Sequence, residues 1–190
     1  MLKSPKNLIA GLLVAATLAF SVNATAQVDG VTIPRAAIAV NENGAYAGLF
    51  DELIKTLAAD QAYDRQQSII NTLGKKGPFT VFAPTDGAFQ ALKQTLACNG
   101  IAMSDIPDLV RTVLAYHAAA GEVFAADALG ATVTTLAGAD LSISESGVIT
   151  DVAGQSINII ITDLDVDNGV IHVIDGVLLP ADLGLSACGG

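Results

Sequence analysis

Lysine and arginine vanish from this chain after position 111. From Thr112 to Gly190 there is no lysine or arginine, against ten acidic side chains. Residues 27–111 hold nine acids and seven bases, and the whole chain carries a formal charge of −10. An acidic half without bases repels phosphate backbones and anionic bilayers, which excludes nucleic acid and anionic membrane as partners. The charge serves solubility and also offers a surface to divalent cations or a basic partner.

Histidine and cysteine are scarce too, at two each. A serine hydrolase needs a nucleophile, a base and an orienting acid. His117 and His172 both lie in apolar settings, and no G-x-S-x-G occurs. Leu73-Gly74-Lys75-Lys76-Gly77 has the wrong spacing for a phosphate-binding loop. Neither histidine has ligand spacing with Cys98 or Cys188. The sequence therefore predicts no catalytic residue, no cofactor and no metal site. Asp163, Asp165 and Asp167 look like the start of a calcium loop. However, position six is Asn168 rather than glycine, and position twelve is Ile174 rather than an acid. Their two-residue spacing instead puts the three carboxylates on one strand face, toward water.

Long apolar runs are confined to the start. Lys3 and Lys6, the apolar run Leu8–Phe20 and the small residues Ala24-Thr25-Ala26 form a secretory signal peptide over residues 1–26. No later run is long enough to span a bilayer. The expected product is exported to the periplasm or beyond, as one domain with a sizeable core. In that oxidising setting Cys98 and Cys188 are expected to pair.

What is present is organised around Asn168–Pro180, NGVIHVIDGVLLP. Asn168-Gly169 is a turn, and Val170–Ile174 is β-branched except for His172. Asp175-Gly176 signals a second turn or bulge, and Val177–Leu179 continues until Pro180. Apolar residues on both alternating faces predict a strand buried on both sides.

Residues 27–37 read as an extended lead-in containing Pro34. Tyr46, Leu49, Phe50, Leu53, Ile54 and Leu57 follow a helical period. A second helix is predicted over Asp64–Leu73. Phe79–Phe82 is a strand stopped by Pro84. Thr85 caps the next helix, with Asp86 at its positive end and Phe89 facing inward. Asp105 is expected to cap a further helix carrying Pro107 in its first turn. Tyr116-His117 then leaves that helix for a strand. After Gly130 the period falls to two, and glycines punctuate consecutive antiparallel hairpins. Helices first and strands second make the fold α+β.

Thr80–Phe89 (TVFAPTDGAF), Tyr116-His117 and Asn168–Pro180, in this order, resemble the hallmarks of the fasciclin domain family across residues 38–182. Residues 183–190 would be a tail. The resemblance implies a β-wedge of two sheets with helices along one side. It implies structural roles for Thr80, Phe82, Pro84, Thr85, Phe89, Asn168, Gly169, His172, Asp175 and Pro180. It also implies non-catalytic adhesion or matrix interaction with a cell-surface or matrix protein, a polysaccharide, or a second copy. In some animal members an Asp-Ile pair and the tyrosine-histidine segment contact integrins; the matching residues here are Asp163, Leu164, Tyr116 and His117. The alternative is a periplasmic small-molecule binder or enzyme with a pocket near Tyr116 and His117.

Overall fold

The computed structural model describes residues 32–42 and 47–185. The expected signal peptide, Tyr46 and Cys188 lie outside them. Seven strands form one sheet in the order β2-β1-β7-β6-β5-β4-β3. They are β1 (Phe79–Pro84), β2 (Ala118–Ala120), β3 (Thr132–Thr134), β4 (Asp140–Ile143), β5 (Val148–Thr150), β6 (Ser156–Val166) and β7 (Gly169–Ile174). From β3 to β7 each strand pairs antiparallel with the next, as the glycine punctuation predicts. β1 joins them by running parallel to β7, with Phe82 opposite His172.

The long strand β6 serves two leaves. Ser156–Asn158 pairs with β5, and Ile159–Val166 pairs with β7 through two register shifts. Bulges of this kind bend a strand and raise its twist. The outer edges of the two leaves meet, because Ala119 bridges Thr135 and the Leu136 amide donates to the Ala118 carbonyl at 2.6 Å. The result is a wedge with little free edge.

Six helices accompany the sheet among the described residues: α1 (Ile33–Glu42), α2 (Asp51–Tyr63), α3 (Ile69–Leu73), α4 (Asp86–Cys98), α5 (Pro107–Tyr116) and α6 (Ala125–Ala128). Phe50, Leu53, Leu73, Phe89 and Leu114 pack on Val81, Ile171 and Val173 to form the core between helices and sheet. A second core lies between the leaves, built from Phe82, Tyr116, Leu141, Ile149, Ile174 and Leu178. Every residue of β7 is buried, as its unbroken apolar run demands.

Five local expectations need correction. Ile33–Glu42 is helical, although its first part reads as an extended lead-in. Pro34 sits in the first turn, where a missing N–H costs nothing. The second predicted helix shortens to α3, because Asp64 turns the chain by accepting from the amides of Gln66 and Gln67, and Ser68 starts the helix anew. Ile106, not Asp105, precedes α5, with Pro107 at its first position and Asp105 in a 3-10 turn. β7 stops at Ile174; Val177–Leu179 stays buried but takes its hydrogen bonds from side chains. Finally, Asp163 has φ +58, which breaks the alternation, so Asp163, Asp165 and Asp167 do not form one regular strand face.

Candidate functional site

The residues singled out by sequence converge on the seam where helices, β1 and β7 meet. Thr80 is fully buried, and its hydroxyl donates to the Gly121 carbonyl at 2.8 Å and accepts from the Val123 amide at 2.9 Å. Phe82 stacks on His172 with centroids 5.6 Å apart. Pro84 ends β1, and the Thr85 hydroxyl accepts from the Ala88 amide at 3.3 Å to cap α4. Asp86 does more than suit its own helix. Its carboxylate accepts from the Glu52 amide at 2.8 Å, supplying the cap that Phe50 cannot give α2. Phe89 is buried in the helix-side core.

Tyr116 and His117 face different cores. The Tyr116 hydroxyl donates to the Asp140 carbonyl at 3.0 Å and accepts from the Val152 amide at 3.1 Å, tying α5 to the start of β4 and to the turn after β5. Desolvation raises its pKa above the usual value. His117 lies 2.7 Å from the Val113 carbonyl through Nδ1, which must therefore carry the proton. Its Nε2 accepts from the Leu178 amide at 3.0 Å. Burial lowers its pKa to about 4, so the ring is neutral near pH 7.

His172 uses the opposite tautomer. Nδ1 accepts from the Asp163 amide at 3.3 Å, and Nε2 lies 2.8 Å from the Val123 carbonyl, to which it donates. Burial also lowers its pKa. The Asp163 carboxylate accepts from the Ala125 amide at the start of α6. Asn168 is spent in full on backbone: its carbonyl oxygen accepts from the Ile33 amide, and its amide donates to the Leu73 and Lys75 carbonyls. Gly169 has φ +147, and a Cβ there would collide with the Phe79 carbonyl, so no other residue fits. Asp175 accepts from the backbone amide and side-chain amide of Asn158. Pro180 ends the buried segment half-exposed.

The four residues matched to integrin-contacting positions are not a shared surface. Leu164, Tyr116 and His117 are buried, and only the Asp163 side chain, 25% exposed, reaches water. Cys98 ends α4. The described residues contain no group of three His, Cys, Asp or Glu side chains able to hold a metal. No helix among them is long and apolar enough to cross a membrane.

Two buried acids went unrecognised in sequence. Asp60 accepts from Arg111 at 2.9 Å and from the Ile69 amide at 3.0 Å, and Arg111 lies over the Tyr63 ring. Asp151 accepts from Gln155 and from the Leu179 amide. Asp60 falls three residues after Leu57 and seven after Leu53, on the inward stripe of α2, so its spacing carried a signal of burial that its charge masked; Asp151 sits by a turn and carries none.

Two of the spaces beside these elements bear on function. An apolar cavity of about 70 Å³ lies under α1 and is lined by His117 but not Tyr116. An open cleft of about 530 Å³ lies between α2, α4 and the start of α5, with Lys55, Tyr63, Lys93 and Met103 on its walls. Glu52 holds both lysines of that cleft, and they keep its pKa below the usual carboxylate value.

A bent seven-stranded wedge, helices on one leaf and hallmark side chains spent on backbone define a fasciclin-type domain. The fasciclin domain profile matches residues 55–180, and the chain belongs to that family. It is 37% identical over 131 residues to protein sll1483 of Synechocystis sp., covering 68% of this chain and 69% of that one. Immunogenic protein MPT70 of Mycobacterium tuberculosis is 28% identical over 82% of this chain and 74% of its own. Stabilin-2 of Rattus norvegicus is 33% identical over 71% of this chain, which spans only 9% of that protein. Among solved structures, a domain pair from the insect cell adhesion molecule fasciclin I superposes with a TM-score of 0.59 at 20% identity. That match covers 80% of this chain and 51% of the pair.

Proposed function

We propose that this is an exported, non-catalytic fasciclin domain that attaches to a cell-surface or matrix component, either a protein or a polysaccharide. Membership of the fasciclin family carries the reading. The chemistry of the hallmarks supports its non-catalytic part: both imidazoles have both nitrogens committed to backbone, so neither is a free base. The export part rests on the signal-peptide pattern of residues 1–26, and the oxidising compartment fits a Cys98–Cys188 bridge. The contact is placed on the helix face at the open cleft. There Tyr63 is 55% exposed, beside Lys55 and Lys93, which both pair with Glu52.

Retention of parent cells on beads coated with the purified protein tests this. Retention that falls in a Tyr63→Ala, Lys93→Glu variant supports both the function and the face. No retention by folded protein overturns the adhesion reading. A second reading, a periplasmic small-molecule binder, is favoured by the cavity that His117 lines.

A further inference from the structure

We propose that the cavity under α1 is a binding site for the end of an aliphatic chain, such as an alkyl or fatty-acyl group, with α1 as its lid. The inference rests on the small-molecule reading and is independent of adhesion. The cavity measures about 70 Å³, and every lining side chain is apolar except His117. His117 has nothing left to offer a polar ligand, since Val113 and Leu178 take both its nitrogens. On the cavity floor Val81–Pro84 of β1 pair with β7 along one side, and on the other side Val81 pairs with Ala118 and the Phe82 amide donates to the His117 carbonyl. A water needs two to four polar partners, and a space of more than twice a water's share (about 30 Å³) without them favours hydrocarbon.

The lid is built to leave this space. α1 contributes Ile33, Pro34, Ala36 and Ala37, and at half-buried Ala37 a leucine would reach into the gap. Pro34 and Ala37 on α1, Leu57 on α2 and Ile70 on α3 line the cavity and are only half-buried, which places its mouth among these helices. The helix is latched mainly at its ends. The Ile33 amide donates to Asn168 at 2.8 Å, and Asn41 accepts from the Phe50 amide at 2.8 Å and donates to Asp51 at 2.7 Å. The volume suits a chain end rather than a whole lipid, so the remainder of the ligand leaves through the mouth.

Titration of the purified protein with n-alkanols from propanol to nonanol, followed by methyl NMR, tests the site. Saturable shifts are expected at Ala37, Leu57, Ile70 and Leu164. Affinity should tighten about fourfold per methylene while the chain fills the cavity, then level off. Ala37→Leu should weaken binding at least tenfold with no drop in melting temperature. Leu57→Phe, at the half-exposed rim, is the second variant should Ala37→Leu fold poorly. No saturable shift at these methyls, a steady rise with chain length like simple partitioning, or unchanged binding in the folded variants would overturn the proposal. Bead retention is a separate readout, so failure of either reading is seen on its own.

Discussion

The Asp163 amide donates to Nδ1 of His172 at 3.3 Å, at the point where Asp163 takes a positive φ of +58. This bond turns the bulge of β6 inward and frees the Asp163 carboxylate to hold the start of α6. The other nitrogen of His172 holds Val123, in the loop that leads into α6. One buried ring thus fixes a bulge and a loop, and the strained backbone of Asp163 is over-determined by its neighbours.

Replacing His172 by alanine should therefore cost about 3 kcal/mol, from a cavity beside Phe82 and two backbone groups left unpaired. Urea unfolding of the purified protein measures it. A midpoint equal to wild type would show that the ring carries none of this.

Asn168→Ala should cost about 2–3 kcal/mol, because it orphans the Ile33 amide and the Leu73 and Lys75 carbonyls. The loss has a local signature. Amide exchange in α1 should quicken more than exchange in β7, since α1 loses one of its end latches. Uniform quickening across both would contradict the latch.

Acid should destabilise the protein through His117. Folding lowers its pKa from the usual 6.5 to about 4, so the unfolded chain binds the extra proton between those values. The stabilisation is fully present above pH 6.5 and is lost as pH falls toward 4, by about 3 kcal/mol in all. His172 shifts in the same direction and adds to the slope. Urea midpoints at pH 7 and pH 4.5 should differ clearly in wild type and less in His117→Gln. Equal midpoints in wild type would refute the burial argument.

Cys98 should yield no free thiol in protein exported from its parent cells under the proposed reading, and Cys98→Ser should leave one reactive thiol at Cys188. The chain-entropy cost of losing a loop this long is about 4 kcal/mol. Intact-mass alkylation, with and without reductant, checks the pairing; two free thiols in untreated protein would end it.

Gly87 lies within α4, and a Cβ there would meet only the Thr85 hydroxyl, at 3.7 Å. Gly87→Ala should raise stability by about 1 kcal/mol, through helix propensity alone. A loss instead would mean that the Thr85 cap needs the space.

The sequence by itself determined the α+β class, the hairpin succession and the doubly buried β7, because each follows from a local period or a turn residue. It also singled out Thr85, Asn168 and Gly169, whose side chains or backbone make close contacts in the fold. Three things were decided only by tertiary structure. Pro34 reads as a break, yet Ile33–Glu42 is helical with Pro34 in the first turn and an Asn168 carbonyl 135 residues away holding the Ile33 amide. Asp86 caps a helix other than its own, and Asp60 is buried against Arg111, because partners 34 and 51 residues distant came within reach. Leu164 and Tyr116 lie inside rather than on a contact surface, because the bulge at Asp163 and the closure of the two leaves set which way those residues face, whereas the apolar setting of His117 already pointed to burial in the sequence. Periodicity reports what a segment wants to bury; only the folded chain supplies the donor or acceptor that lets a polar group go in with it.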